Sequence, residues 1–108
     1  MTLLEIVPTL EERKKWMLDH SDAFISLPGG FGTLDEAFEM VTRGQLGEHA
    51  LPSGFLNLNG YYNSLQEQMK HFYRSGFLAK NHFDALIFES TLDALLLRLN
   101  GLFPANRF

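Results

Sequence analysis

A glycine-rich stretch occupies residues 27–36 and reads Leu27-Pro28-Gly29-Gly30-Phe31-Gly32-Thr33-Leu34-Asp35-Glu36. The apolar run at residues 23–27 is typical of a buried strand, and residues 33–46 carry apolar side chains at helical spacing. A turn of this kind connects a parallel strand to the following helix, at the sheet edge where open α/β folds bind ligands. The stretch therefore predicts an α/β fold and a candidate ligand site at the turn.

The same alternation of strand and helix continues on both sides of this stretch. Four apolar runs predict strands, at residues 3–7, 23–27, 54–58 and 85–88. Four segments with helical spacing follow them, at residues 9–20, 33–46, 62–75 and 90–99. Strands that alternate with helices favour a parallel sheet with helices on both faces. We expect one α/β domain over residues 1–108, with about four strands in βα repeats.

The glycine turn has two interpretations from the residues alone. Glycines let a ligand approach the backbone, and the free N–H groups at the start of a helix attract an anion such as phosphate. The stretch is neither a P-loop nor a G-x-G-x-x-G fingerprint. The alternative is a tight connecting turn, in which Thr33 and Glu36 form a capping box with Thr33 as the N-cap.

Arg13 and Glu36 occupy matching places in two successive βα units. Each is predicted in the first helical turn after a strand, and parallel neighbouring strands end at the same edge of a sheet. An arginine, a carboxylate and an anion-binding turn would then meet in one crevice. Lys14 and Lys15 are interpreted as a solvated helix face.

Composition excludes several classes of protein. The chain has no cysteine, which removes disulfide frameworks, cysteine zinc sites and thiol nucleophiles. Its net charge of −4 disfavours nucleic acid as a partner, and no apolar run is long enough to span a membrane. The four histidines are too scattered to predict a metal site. The N-terminus lacks the pattern of a secretory signal, so we expect a soluble, cytoplasmic protein.

Residues 28–36 resemble the P-G-G-x-G-T-x-x-E motif of the Lonely Guy (LOG) family, the cytokinin-activating nucleoside 5′-monophosphate phosphoribohydrolases. Residues 10–14 resemble the family's M-H-x-R-K, and residues 42–47 its T-W-x-Q-L-G. Residues 56–62 resemble its L-N-x-x-G-Y-Y, and Gly76-Phe77 its G-F. The similarity covers most of residues 3–90.

The resemblance implies a Rossmann-like fold and hydrolysis of the N-glycosidic bond of a nucleoside monophosphate such as AMP or N6-modified AMP. The products are the free base and ribose 5-phosphate, and neither a metal nor an organic cofactor is implied. By position, Arg13 and Glu36 match the two catalytic residues. The phosphate-binding residues of the family match Gly29, Gly30, Gly32 and Thr33.

The sequence departs from the family pattern in three places. Leu10-Glu11 replaces the Met-His pair, which places Leu10 near the base pocket and leaves the preferred base undetermined. Arg43 replaces the family's tryptophan. The family's amino-terminal βα units, with a second glycine-rich segment, have no counterpart, which leaves a non-catalytic nucleotide-binding or phosphosugar-binding module as the alternative function.

A homodimer or larger assembly is also expected. Without the family's amino-terminal units, the edge of strand 3–7 would be unpaired, and such edges associate. Because family members dimerise through helices beside the active site, helix 33–46 should contribute to the interface, with Arg43 at or near it.

Overall fold

The computed structural model describes residues 21–102 of the chain. Within this range the strands and helices alternate, as the sequence predicts. The elements in chain order are β1 (Phe24–Ser26), α1 (Phe31–Gln45), β2 (Ser53–Leu56), a 3-10 turn (Leu58–Gly60), α2 (Asn63–Arg74), α3 (Lys80–Asp84), β3 (Leu86–Glu89) and α4 (Leu92–Asn100). The predicted strand 3–7 and helix 9–20 lie outside the described residues.

The three described strands form a parallel sheet in the order β1-β2-β3. Ser26 is in register with Phe55, and Phe55 with Phe88, so the carboxyl ends of the strands lie along one edge. The predicted α/β class and parallel sheet are confirmed. The predicted strand 54–58 ends earlier, at Leu56, because Asn59 and Gly60 adopt a left-handed backbone with φ angles of 53° and 75°.

One face of the sheet is covered by α4. Its buried side chains Leu95 and Leu99 pack with Ala23 and Ile87 in a single apolar cluster. A Cβ atom at Gly54 would lie 3.0 Å from Cδ1 of Leu95, so the glycine of the central strand allows α4 to approach closely. Apolar burial on this face is a main source of stability.

The opposite face is covered by α1 and α2. Phe55 is almost fully buried there, between Ala37 of α1 and Tyr62 at the start of α2. The Phe55 ring stacks on Phe88 at a centroid distance of 4.6 Å and meets Tyr62 edge-on at 5.6 Å. Helices therefore cover both faces of the sheet, as the alternation predicts.

Two helices in the second half of the chain differ from the sequence prediction. The last helix begins at Leu92, and the N-cap is Thr91, whose hydroxyl accepts a hydrogen bond from the Ala94 N–H at 3.1 Å. The short helix α3 was not predicted, because five residues are too few to show helical periodicity. Gly76 follows α2 with a φ of 84°, a left-handed conformation that is common for a glycine just after a helix end. No helix of residues 21–102 has the length and apolar character needed to cross a membrane.

Candidate functional site

The glycine turn, residues 27–33, joins the carboxyl end of β1 to the start of α1. The helix begins at Phe31, with Gly30 as its N-cap, and the Gly30 carbonyl accepts the first helical hydrogen bond from the Leu34 N–H at 3.1 Å. Thr33 is therefore inside the helix, and no side chain of residues 21–102 caps the start of α1. The capping box with Thr33 as N-cap is wrong, because the helix starts two residues earlier than predicted.

Gly29 is a glycine because Thr33 packs directly against it. A Cβ atom at Gly29 would lie 2.2 Å from the Thr33 hydroxyl oxygen and 2.8 Å from the Thr33 Cβ. Such distances cannot occur, so any side chain at Gly29 would displace Thr33. Thr33 therefore fills the space between Gly29 and the first turn of α1.

Gly30 and Gly32 lie on the open side of the same turn. Among the described residues, a Cβ atom at either position would meet nothing within 4 Å, and the neighbouring Phe31 is 93% exposed. Within residues 21–102, no backbone carbonyl accepts a hydrogen bond from the amides of Phe31, Gly32 or Thr33. Unpaired amides and the helix dipole favour an anion at such a position. The turn thus presents an open surface that suits a phosphate group.

Glu36 lies in the second turn of α1, on the same side as Gly32. It was predicted in the first turn, and the earlier start of the helix explains the difference. Residues four apart share a helix face, so the exposed Glu36 carboxylate follows one turn after Gly32. In the described part of the chain Glu36 has neither an ion pair nor a hydrogen bond.

Two consecutive tyrosines connect the end of β2 to the glycine turn. The Tyr61 hydroxyl donates a hydrogen bond to the Gly29 carbonyl, and the Tyr62 hydroxyl donates one to the Leu27 carbonyl at 2.5 Å. Tyr62 is buried, whereas Tyr61 is 53% exposed. Sequence reasoning missed both hydrogen bonds. The signal was available, since motifs that follow two neighbouring parallel strands must meet at one sheet edge.

Asn57 and Gly60 hold the tyrosines in place. The Asn57 side-chain oxygen accepts a hydrogen bond from the Tyr62 N–H at 2.5 Å, and its amide donates to the Asn63 side chain at 2.8 Å. A Cβ atom at Gly60 would lie 2.7 Å from the Asn63 side-chain nitrogen. These contacts restrict the backbone of residues 57–63, and the backbone in turn fixes the positions from which the Tyr61 and Tyr62 side chains extend.

The Tyr62 phenol remains protonated over a wide pH range. Burial, and to a smaller extent the neighbouring Tyr61, raises the pKa of Tyr62 above its ordinary value. A protonated phenol can donate the hydrogen bond to Leu27, whereas a phenolate cannot.

The structure brings together five of the seven residues predicted for the site. Gly29, Gly30, Gly32 and Thr33 form one turn, and Glu36 lies one helical turn beyond Gly32. Arg13 and Leu10 lie outside the described residues, so their convergence with Glu36 stays a prediction. Within residues 21–102, no group of three or more metal-ligating side chains occurs.

An apolar groove of about 580 Å³ lies between α1 and α2. It is lined by Phe38, Val41, Thr42, Gln45, Leu65, Gln68, Met69, Phe72, Phe77 and Leu78. The Phe77 side chain is 82% exposed there. Arg43 is not among the lining residues, and its guanidinium bonds to Glu39 at 3.1 Å and lies 3.8 Å from Glu48.

Comparison with known proteins gives one matching family model. It is described as "Possible lysine decarboxylase" and matches residues 1–99 of the chain.

Three similar curated proteins are cytokinin riboside 5′-monophosphate phosphoribohydrolases of Arabidopsis thaliana. LOG4 is 42% identical over 100 residues, LOG3 is 40% identical over 100 residues, and LOG1 is 39% identical over 101 residues. The alignments cover 93%, 93% and 94% of this chain and 46%, 46% and 47% of the respective relatives. The chain therefore spans about half the length of the curated relatives it matches.

Proposed function

We propose that this chain, which belongs to the Lonely Guy (LOG) family, acts in hydrolysis of the N-glycosidic bond of a purine nucleoside 5′-monophosphate. AMP and N6-modified AMP are the expected substrates, and the products are the free base and ribose 5-phosphate. The observation that carries the proposal is the glycine turn, whose amides have no backbone partner within residues 21–102 and lie one helical turn from the exposed carboxylate of Glu36.

Each part of the site has a chemical role in this reaction. The turn binds the 5′-phosphate, and this remote contact holds the ribose in place for reaction at its anomeric carbon. As the bond from that carbon to the base breaks, positive charge develops on the ribose ring. The Glu36 carboxylate stabilises this charge and accepts a proton from the attacking water. Arg13 stays charged at working pH and engages the phosphate or the leaving base.

The test is chromatographic measurement of adenine released from AMP. Glu36→Gln removes the charge of the carboxylate at nearly constant size, and Arg13→Ala removes the guanidinium. Asp35→Asn is the matched control, because Asp35 is the neighbouring exposed carboxylate of the same helix. We expect at least a hundredfold loss in both site variants, as for loss of acid–base groups, and little change in the control. Full activity in Glu36→Gln would remove the proposed mechanism.

The second candidate is a nucleotide-binding or phosphosugar-binding module without catalysis. Its support is the combination of the glycine turn, with open space at Gly30 and Gly32 among the described residues, and a chain that spans about half the length of its relatives. Calorimetry with AMP and with ribose 5-phosphate distinguishes the two functions. Binding without release of adenine favours the module, and adenine release that depends on Glu36 favours the hydrolase. A purely structural role in oligomerisation would show neither.

The partner proposed for the apolar groove is a second copy of this chain, in a homodimer or larger assembly. The groove lies on α1, the helix that the family resemblance places at the interface, and it exposes a large aromatic side chain at Phe77. Exposed apolar surface of this kind marks association sites. Arg43 lies on α1 but does not line the groove, so its predicted place at the interface remains a proposal.

A further inference from the structure

We propose that Tyr61 is a positioning residue of the phosphate-binding turn, an inference that rests on the proposed function. Its hydroxyl fixes the orientation of the Gly29–Gly30 peptide and so presents the amides of the turn to the phosphate. The contact that carries the inference is the hydrogen bond from the Tyr61 hydroxyl to the Gly29 carbonyl.

Peptide planarity transmits this contact to the neighbouring amide. The carbonyl of Gly29 and the N–H of Gly30 belong to one trans peptide unit and point in opposite directions. When Tyr61 holds the oxygen, the Gly30 N–H is held in the opposite direction. Glycines on both sides of this peptide give it more rotational freedom than other residues would, so it needs an external anchor.

Tyr61 and Tyr62 differ in how far their side chains are buried. Tyr62 is 3% exposed and packs against Phe55 in the core, so its loss would alter the fold. The Tyr61 ring is 53% exposed, and water could satisfy its hydroxyl without any contact to the turn. Burial therefore does not force Tyr61 to contact Gly29, and the hydrogen bond is a specific contact of a surface residue.

The local backbone and a neighbouring ring fix the position of the Tyr61 side chain beside the glycine turn. Its N–H donates to the Leu58 carbonyl at 3.0 Å, which closes the 3-10 turn, and its ring meets Tyr62 edge-on at 5.1 Å. The left-handed Gly60 precedes it. A hydroxyl placed by an ordered backbone and a neighbouring ring restrains the turn with little extra loss of side-chain entropy.

Gly29 is consequently held from two sides. Thr33 blocks motion toward the helix, and Tyr61 holds the carbonyl. Gly30 and Gly32 then present their open surface to the ligand without prior rearrangement. A turn that is ordered before binding loses less entropy on binding, which raises affinity.

The test compares Tyr61→Phe with Tyr73→Phe in the full 108-residue chain. Tyr73 is the matched control, because it is also a surface tyrosine, stacks on Phe83 at 4.7 Å, and its hydroxyl has no hydrogen bond within residues 21–102. The first measurement is NMR relaxation without ligand. In Tyr61→Phe we expect backbone order parameters of Gly30, Phe31 and Gly32 to fall from about 0.85 toward about 0.6, and no change in Tyr73→Phe.

The second measurement is calorimetry with ribose 5-phosphate. Tyr61→Phe should raise the dissociation constant about five- to tenfold, as expected for one hydrogen bond, while the melting temperature falls by less than about 4 °C. Unchanged order parameters in the turn overturn the inference, whatever the affinity. If the unmodified chain binds neither ribose 5-phosphate nor AMP, the proposed function fails, and the relaxation data still decide whether Tyr61 orders the turn.

Discussion

The hydroxyl of Tyr61 donates a hydrogen bond to the carbonyl of Gly29, which lies 32 positions earlier in the chain. The two residues meet because β1 and β2 are parallel neighbours, so the loops that follow them share one edge of the sheet. Two motifs far apart in sequence, the glycine turn and the Asn-x-x-Gly-Tyr-Tyr segment, thereby form one structural unit. The predictions below separate the residues that shape this unit from those that meet a ligand.

Gly29→Ala should destabilise the protein. The added methyl group overlaps Thr33 at 2.2 Å, so helix or turn must shift, at a cost of about 1–3 kcal/mol in the free energy of unfolding. Urea denaturation followed by circular dichroism measures the loss. Gly30→Ala is the control, because a methyl group there meets none of the described residues within 4 Å. Equal stability of Gly29→Ala and the unmodified chain would contradict the packing described.

Gly32→Ala should weaken ligand binding without the loss of stability expected for Gly29→Ala. Alanine favours a helix over glycine by up to about 1 kcal/mol, and the methyl group enters open space, so stability should be unchanged or higher. The same methyl group stands where a phosphate would approach the amides. The dissociation constant for ribose 5-phosphate should therefore rise at least about tenfold.

Calorimetry and thermal unfolding of the same samples test Gly32→Ala. Ser64→Ala places an alanine at the second position of α2, which matches the position of Gly32 in α1, and it should leave binding unaffected. Normal binding by Gly32→Ala would show that the ligand does not contact this part of the turn.

Tyr62 should give the folded state a component of stability that disappears in alkali. Burial raises the pKa of Tyr62, so the folded state holds the phenolic proton more tightly than the unfolded state. This contribution is complete below the unfolded pKa of about 10 and is lost as the pH rises through the higher folded value. Melting temperatures from pH 8 to pH 11 should fall more steeply for the unmodified chain than for Tyr62→Phe.

Lys80 adds to the alkaline loss in the same direction. Its hydrogen bond to Asp84, and then the charge of Asp84, raise the pKa of Lys80. Since Lys80 is present both in the unmodified chain and in Tyr62→Phe, its effect on the melting temperature cancels in the difference between these two proteins. Parallel pH profiles for the two proteins would refute the contribution assigned to Tyr62.

Phe77→Gln should weaken self-association. The side chain is 82% exposed in the apolar groove, and burial of a phenylalanine at an interface contributes about 1.5–3 kcal/mol, so the dimer dissociation constant should rise at least about tenfold. Light scattering at several concentrations measures it. Leu97→Gln is the control, because Leu97 is 74% exposed on α4, which covers the other face of the sheet. A monomeric unmodified chain, or equal effects of both variants, would argue against this groove as the interface.

Local patterns in the sequence predicted most of the architecture. Apolar periodicity located the three described strands to within a few residues, because a strand buried on both faces needs a continuous apolar run. The position of the glycines between β1 and α1 identified the turn. Each of these depends on residues close together in the chain.

The tertiary structure alone decided the start of α1 and the anchoring of its turn. A Thr-x-x-Glu pattern fits a capping box locally, yet contact with Gly29 places Thr33 inside the helix and leaves the capping position to Gly30. The Tyr61 hydrogen bond depends on which strands are neighbours and in what register, and no local pattern contains that information. The physical reason is range: periodicity and turn chemistry act over a few residues, whereas packing and hydrogen bonds across the sheet edge join segments that only the folded chain brings together.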